Sequence, residues 1–187
     1  VPQCAAAIEE LFEEAQAPEG LYTNLFISGK RASALVSDKR IKGVSLTGSE
    51  KAGASIALEA GKNLKKVVLE LGGNDVFIIL EDADLDKTVE WAVIGRMNNN
   101  GQSCIASKRF IAVEAIADEF IRKFKEKLSK MKVGDPMDPD TELGPLSSEE
   151  AAVHLADQVK RSIEGGAKVL LGGNRADREG AFMEPTI

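Results

Sequence analysis

The chain has 187 residues, 43% of them hydrophobic and 29% charged, the balance of an ordinary globular protein of one or two domains. Its 24 basic and 30 acidic side chains leave a formal charge of −6 with no basic run, which argues against nucleic acid or a membrane surface as the main partner. Two cysteines and one histidine exclude a disulfide-stapled scaffold, a four-thiolate zinc site and a two-histidine metalloprotease helix.

The longest apolar stretches, such as 67–69 and 76–80, are far too short to span a bilayer. The opening Val1-Pro2-Gln3-Cys4 has neither the basic flank nor the apolar core of a signal peptide. A cytoplasmic, reducing compartment with free thiols is therefore expected. The chain opens without methionine in a helical pattern and stops as an extended segment begins, so a piece of a longer protein is also expected.

Residues 5–15 place apolar side chains at helical spacing, and Pro18 and Gly20 end that pattern. Residues 21–27 predict a strand, about 31–38 a short helix, and 43–47 a second strand. Residues 49–60 predict a helix closed by Gly61. Residues 66–71 form a continuous apolar run, as in a strand of a covered parallel sheet. This alternation is the βα pattern of a doubly wound α/β fold, a Rossmann-like parallel sheet. The double glycine at 72–73 is the expected domain boundary.

Residues 75–80 then predict a strand. Asp82 to Asp84 offer caps for a helix that turns Leu85, Val89, Ala92, Val93 and Met97 to one face. A polar knot runs from Asn98 to Cys104. Residues 109–113 predict a strand and 118–131 an amphipathic helix with Phe120, Phe124, Leu128 and Met131 inward. Residues 134–145 read as a loop. Ser147 or Ser148 caps a last helix to about Glu164, and 168–171 predict a final strand.

Three features are candidates for chemistry. Cys104 sits among small and polar residues, where a substrate can reach it and nearby amides can stabilise a thiolate; a small packed cysteine is the alternative. Glu70 ends an apolar strand before two glycines, where open α/β sheets build sites and desolvation favours a general base; an edge-facing glutamate is the alternative. Thr47-Gly48-Ser49 joins a strand to a helix N-terminus, a place that suits a phosphate, or is simply a capped helix start. Cys4 and His154 read as packed or solvated helix residues, and the lysine-rich segment 122–132 as a solvated face.

In order, Thr47-Gly48-Ser49, Leu69-Glu70-Leu71-Gly72-Gly73-Asn74 and Asn100-Gly101-Gln102-Ser103-Cys104 closely resemble the aldehyde dehydrogenase superfamily. Glu70 precedes Cys104 by the family's interval of 34 residues. Asp82-Ala83-Asp84-Leu85-Asp86, Val133-Gly134-Asp135-Pro136, Gly144-Pro145-Leu146 and Phe182-Met183-Glu184-Pro185-Thr186-Ile187 match as well, so the resemblance covers essentially the whole chain. Val1-Pro2-Gln3 and Ser107-Lys108-Arg109-Phe110 are similar to the succinate-semialdehyde branch. One departure is Asn98, where several semialdehyde enzymes carry an arginine for the substrate carboxylate; Arg96 lies close by.

The resemblance implies a small aldehyde substrate, NAD or NADP as cofactor, and a homo-oligomeric parent enzyme. Cys104 would attack the aldehyde to give a thiohemiacetal. Its N–H and an asparagine would hold the oxyanion. Hydride transfer to the cofactor would leave a thioester, which water activated by Glu70 would hydrolyse. Thr47, Gly48 and Ser49 would meet the cofactor diphosphate and the Leu71 backbone the nicotinamide end. Residues 1–71 would be the second half of a cofactor-binding domain and 72–187 the first part of a catalytic domain. The oxyanion asparagine, the ribose-binding lysine and a glutamate-phenylalanine-glycine-proline motif would lie outside the chain, so these residues alone are expected to be inactive.

Three rival classes remain. Acylating dehydrogenases and acyl-phosphate reductases usually lack the base glutamate, so Glu70 argues against them. A cysteine hydrolase would need support for His154 that the sequence lacks. A non-catalytic scaffold of the same family is disfavoured by the presence of both Cys104 and Glu70.

Overall fold

The computed structural model describes residues 2–187. In chain order they form α1 (Pro2–Glu14), α2 (Gly29–Val36), β1 (Gly43–Thr47), α3 (Glu50–Lys62), β2 (Lys66–Glu70), β3 (Asp75–Ile79), α4 (Leu85–Met97), a 3-10 turn (Asn98–Gly101), β4 (Ser107–Ala112), α5 (Glu114–Ser129) and α6 (Glu149–Glu164). They divide into two compact units, Val1–Leu71 and Gly72–Ile187.

In the first unit β1 and β2 pair in parallel, from Gly43 opposite Lys66 to Thr47 opposite Glu70. A parallel pair needs a crossover, and α3 supplies it. Ser49 caps α3, its hydroxyl accepting from the Ala52 N–H at 3.2 Å. Gly53 and Ala60 are the buried residues of α3. A Cβ on Gly53 would stand 2.7 Å from Leu71 Cδ2, so the helix lies directly on that side chain, which would have to move for any larger residue. The helix runs past Gly61, the expected stop. Asn63 caps it instead, and Leu64 takes the left-handed φ of 53° with its side chain in solvent.

Residues 21–27 are irregular rather than a strand. A strand needs a neighbour to take its ladder bonds, and none of the described residues pairs with this segment. Leu21 N–H closes a turn on the Pro18 carbonyl, and Leu21, Leu25 and Phe26 are exposed. β2 is apolar as a covered strand should be, yet Val67 and Val68 are exposed within these residues.

The second unit is built on the parallel pair β3–β4. Phe77 and Ile79 on β3, with Phe110 and Ala112 on β4, turn to one face. There they pack against Val89, Ala92 and Val93 of α4 and Phe120, Phe124 and Leu128 of α5. The rings of Phe110 and Phe124 lie 4.9 Å apart and those of Phe120 and Phe124 5.3 Å, at angles of 47° and 20°, so the aromatic spacing along α5 sets the core. Val76, Ile78 and Ile111, on the other face, are exposed. Asp84 caps α4 by accepting from the Lys87 N–H, and Ser148 caps α6 by accepting from the Ala151 N–H at 3.1 Å.

Residues 168–171 are not a strand either. Leu170 and Leu171 bond across only to Ile187, and three bonds to a single residue do not extend into a ladder. The lysine-rich surface of α5 is solvated, with Lys125 and Lys127 exposed and Lys130, just past the helix end, paired with Glu126 at 2.7 Å. His154 is exposed on α6, and Cys4 is exposed on α1. Among the described residues no helix is long and apolar enough to cross a membrane.

Candidate functional site

The first unit gathers Thr47, Gly48, Ser49, Glu70 and Leu71 at the C-terminal edge of the β1–β2 pair. Thr47 stands opposite Glu70 in the register, and the Gly48 N–H donates to the Glu70 carbonyl at 2.9 Å. This bond joins the turn after β1 to the end of β2. A Cβ on Gly48 would meet nothing closer than 4.0 Å, so the turn is open on that side.

The residues present fit a phosphate at this edge. α3 is 13 residues long, and its dipole and first-turn N–H groups favour an anion. Ser49 Oγ is occupied as an acceptor by Ala52 N–H but keeps its own proton to donate. Gly48 leaves room for a close approach. Glu70 is exposed, and its carboxylate has no hydrogen bond or ion pair among the described residues. The burial expected around it is not supplied by the first unit.

Cys104 lies in the second unit and is exposed. It occupies the first corner of a β-turn in which the Ala106 N–H donates to the Ser103 carbonyl at 3.1 Å. Among the described residues no group accepts from the Cys104 N–H. Upstream, Asn99, Asn100 and Gly101 adopt left-handed φ values of 52°, 56° and 76°. Asparagine and glycine enter this region most easily, which is the physical reason for the polar knot.

Asn100 then bridges to the next loop. Its Oδ1 accepts from the Gly144 N–H at 2.8 Å and its Nδ2 donates to the Pro145 carbonyl at 3.2 Å. Gln102 Oε1 accepts from the Ser147 N–H at 2.8 Å. The segment Gly144-Pro145-Leu146-Ser147 is thus fastened to the cysteine loop by two amide side chains.

Two side chains and one glycine to which sequence reasoning assigned no part in this loop also hold it. Arg96 donates from Nη1 to the Gly101 carbonyl at 3.2 Å, and burial pushes its guanidinium below the ordinary value. Arg96 is therefore committed to the loop backbone, while Asn98 only ends α4. Gly73 allows the β3 approach to touch the loop: a Cβ there would stand 2.8 Å from the Cys104 carbonyl oxygen. Lys108 donates to the carbonyls of Ser103, Cys104 and Ala106 at 3.2, 2.9 and 2.9 Å. In the sequence Lys108 stood out only as part of the Ser107-Lys108-Arg109-Phe110 segment, and its place four residues after the cysteine has no meaning until the turn is folded.

A parallel α/β architecture, an open turn at a helix N-terminus, and an exposed cysteine on a braced loop define a class. The profile of the aldehyde dehydrogenase family matches residues 1–187, and the chain belongs to that family. It is 50% identical over its whole length to a succinate-semialdehyde dehydrogenase (NADP(+)) of Deinococcus radiodurans, covering 39% of that protein. The succinic semialdehyde dehydrogenase of Streptococcus pyogenes, solved with NADP+ as the cofactor, is 49% identical with a TM-score of 0.93, over 99% of this chain and 41% of that one. The lactaldehyde dehydrogenase of Escherichia coli is 33% identical with a TM-score of 0.94, over 99% of this chain and 39% of that one. The chain spans about two fifths of the length of the curated relatives it matches.

Proposed function

We propose that the enzyme containing this chain oxidises an aldehyde, succinate semialdehyde, to the carboxylate with NADP+. The 50% identity to the Deinococcus radiodurans protein over the whole chain carries the substrate and cofactor reading. We assign residues 1–71 to the cofactor-binding domain and 72–187 to the catalytic domain. The whole enzyme is taken as a cytoplasmic homo-oligomer, and these residues alone as inactive.

In this reading Cys104 is the nucleophile and Glu70 the base. The Cys104 thiolate adds to the aldehyde carbon, and its unengaged N–H donates to the oxyanion. The nicotinamide, when bound, supplies the hydride acceptor for this chemistry. Glu70 takes the proton of the water that hydrolyses the resulting Cys104 thioester. Thr47, Gly48, Ser49 and the first turn of α3 would hold the cofactor diphosphate, and the Leu71 backbone would meet its nicotinamide end.

The test is steady-state oxidation of succinate semialdehyde by the full-length enzyme, followed by formation of reduced cofactor. NADP+-dependent turnover that needs neither coenzyme A nor phosphate, and that is abolished by Cys104→Ala, is the expected result. Dependence on coenzyme A would assign an acylating dehydrogenase instead. Turnover that survives Cys104→Ala would remove the nucleophile from this reading.

A further inference from the structure

β3 and β4 pair with one irregularity. Asp75 stands opposite Ser107, but Val76 stands opposite Arg109, so Lys108 is an extra residue in β4 with no partner across the pair. A bulge of this kind re-aims the side chain it contains. Lys108 is turned back onto the loop that precedes its own strand, where its ammonium donates to three carbonyls of the turn that carries Cys104. An ammonium has three donors, and three carbonyls use them all.

The consequence passes through the peptide plane. In a trans peptide the carbonyl of one residue and the N–H of the next lie in one rigid plane and point in opposite directions. Holding the Ser103 carbonyl therefore sets the direction of the Cys104 N–H, and holding the Cys104 carbonyl sets that of Ile105. Ser103 O is held twice, by Lys108 and by the Ala106 N–H. The Cys104 N–H on the opposite side of that plane is the one without an acceptor among the described residues.

We propose that Lys108 is a positioning residue, which aims the Cys104 backbone N–H at the oxyanion by clamping the carbonyls of Ser103, Cys104 and Ala106. The proposal rests on the reading of Cys104 as nucleophile. It adds a residue that touches neither substrate nor cofactor and acts only through the loop backbone. The β4 bulge is then part of the site, since regular pairing would leave Lys108 pointing along the sheet normal.

Lys108→Met and Lys108→Arg in the full-length enzyme test it, with two readouts. In Lys108→Met, kcat is expected to fall by about 10–100-fold, while the KM for NADP+ stays within about twofold. Backbone hydrogen exchange in a peptide covering residues 101–107 is expected to rise, with exchange in α5 unchanged. Lys108→Arg, which keeps a long cationic donor, is expected to recover most of both. If Lys108→Met does not fold, Lys108→Gln, a shorter neutral donor, is read in the same way. Unchanged exchange at 101–107, or unchanged kcat beside raised exchange, would overturn the proposal. So would a loss that arginine does not relieve at all. If the unmodified enzyme oxidises no aldehyde, the function has failed, and the exchange measurement still decides whether Lys108 holds the loop.

Discussion

Glu70 ends β2 as an exposed carboxylate, and Gly73 lets β3 approach the Cys104 carbonyl because it has no side chain. If Glu70 is the hydrolytic base, Glu70→Gln should leave acylation intact and slow the release of the acid. Rapid mixing should then show a burst of reduced cofactor followed by turnover about 10²–10⁴-fold slower than wild type. Normal steady-state turnover in this variant would end the assignment. Gly73→Ala places a methyl against the Cys104 carbonyl, a backbone atom that cannot swing aside as a side chain would. A shift of the loop should cost about 10²-fold in kcat with an unaltered circular dichroism spectrum. Undiminished kcat would show that the loop tolerates displacement. Glu70 was singled out by its strand end and Cys104 by its polar surroundings. Gly73 was visible only as part of a motif, because its contact with Cys104 exists only after β3 and β4 pair.

At the scale of the element, the caps are where sequence and structure agree most closely. Ser49, Asp84 and Ser148 each accept from an N–H three residues on, a bond made entirely within local sequence. The Lys87 N–H, and then the Lys87 ammonium at 3.2 Å, hold the Asp84 carboxyl below its ordinary value. A depressed folded-state value means the stability it contributes is fully present above the ordinary carboxylate range. It is lost as pH falls through the folded-state value. The difference in Tm between wild type and Asp84→Ala should therefore be largest at neutral pH and shrink on acidification. A difference that stays constant down to strongly acid pH would show that the charge of Asp84 plays no part. The strands expected at 21–27 and 168–171 failed for a complementary reason. Their composition suits a strand, but ladder bonds come from a neighbour, and local pattern cannot supply one.

Each unit of the molecule carries a parallel two-stranded sheet with apolar residues left in solvent: Val67 and Val68 in the first, Val76, Ile78 and Ile111 in the second. Parallel sheets occur almost only with both faces covered. The relatives are about two and a half times as long as this chain, which is enough further chain to cover these faces. The isolated 187-residue polypeptide should accordingly bind a hydrophobic dye strongly and show no turnover comparable to the full-length enzyme. Full-length enzyme should bind the dye weakly. Steady-state oxidation by the short polypeptide at rates near the full enzyme's would overturn the view that these residues need further chain to form a site.

The sequence by itself determined the helices to within a few residues at each end, the caps at Ser49, Asp84 and Ser148, the βα alternation and the family, because each rests on spacing, turn chemistry or motif order within a short window. It also pointed to Cys104, Glu70 and the Thr47-Gly48-Ser49 turn. Tertiary structure alone decided which extended segments become strands. It also decided how Asn100 and Gln102 fasten a loop more than forty residues away, and that Lys108 turns back from a bulge to hold the cysteine turn. Those outcomes depend on register and on which backbone groups lack a partner, and neither quantity exists until distant parts of the chain have met.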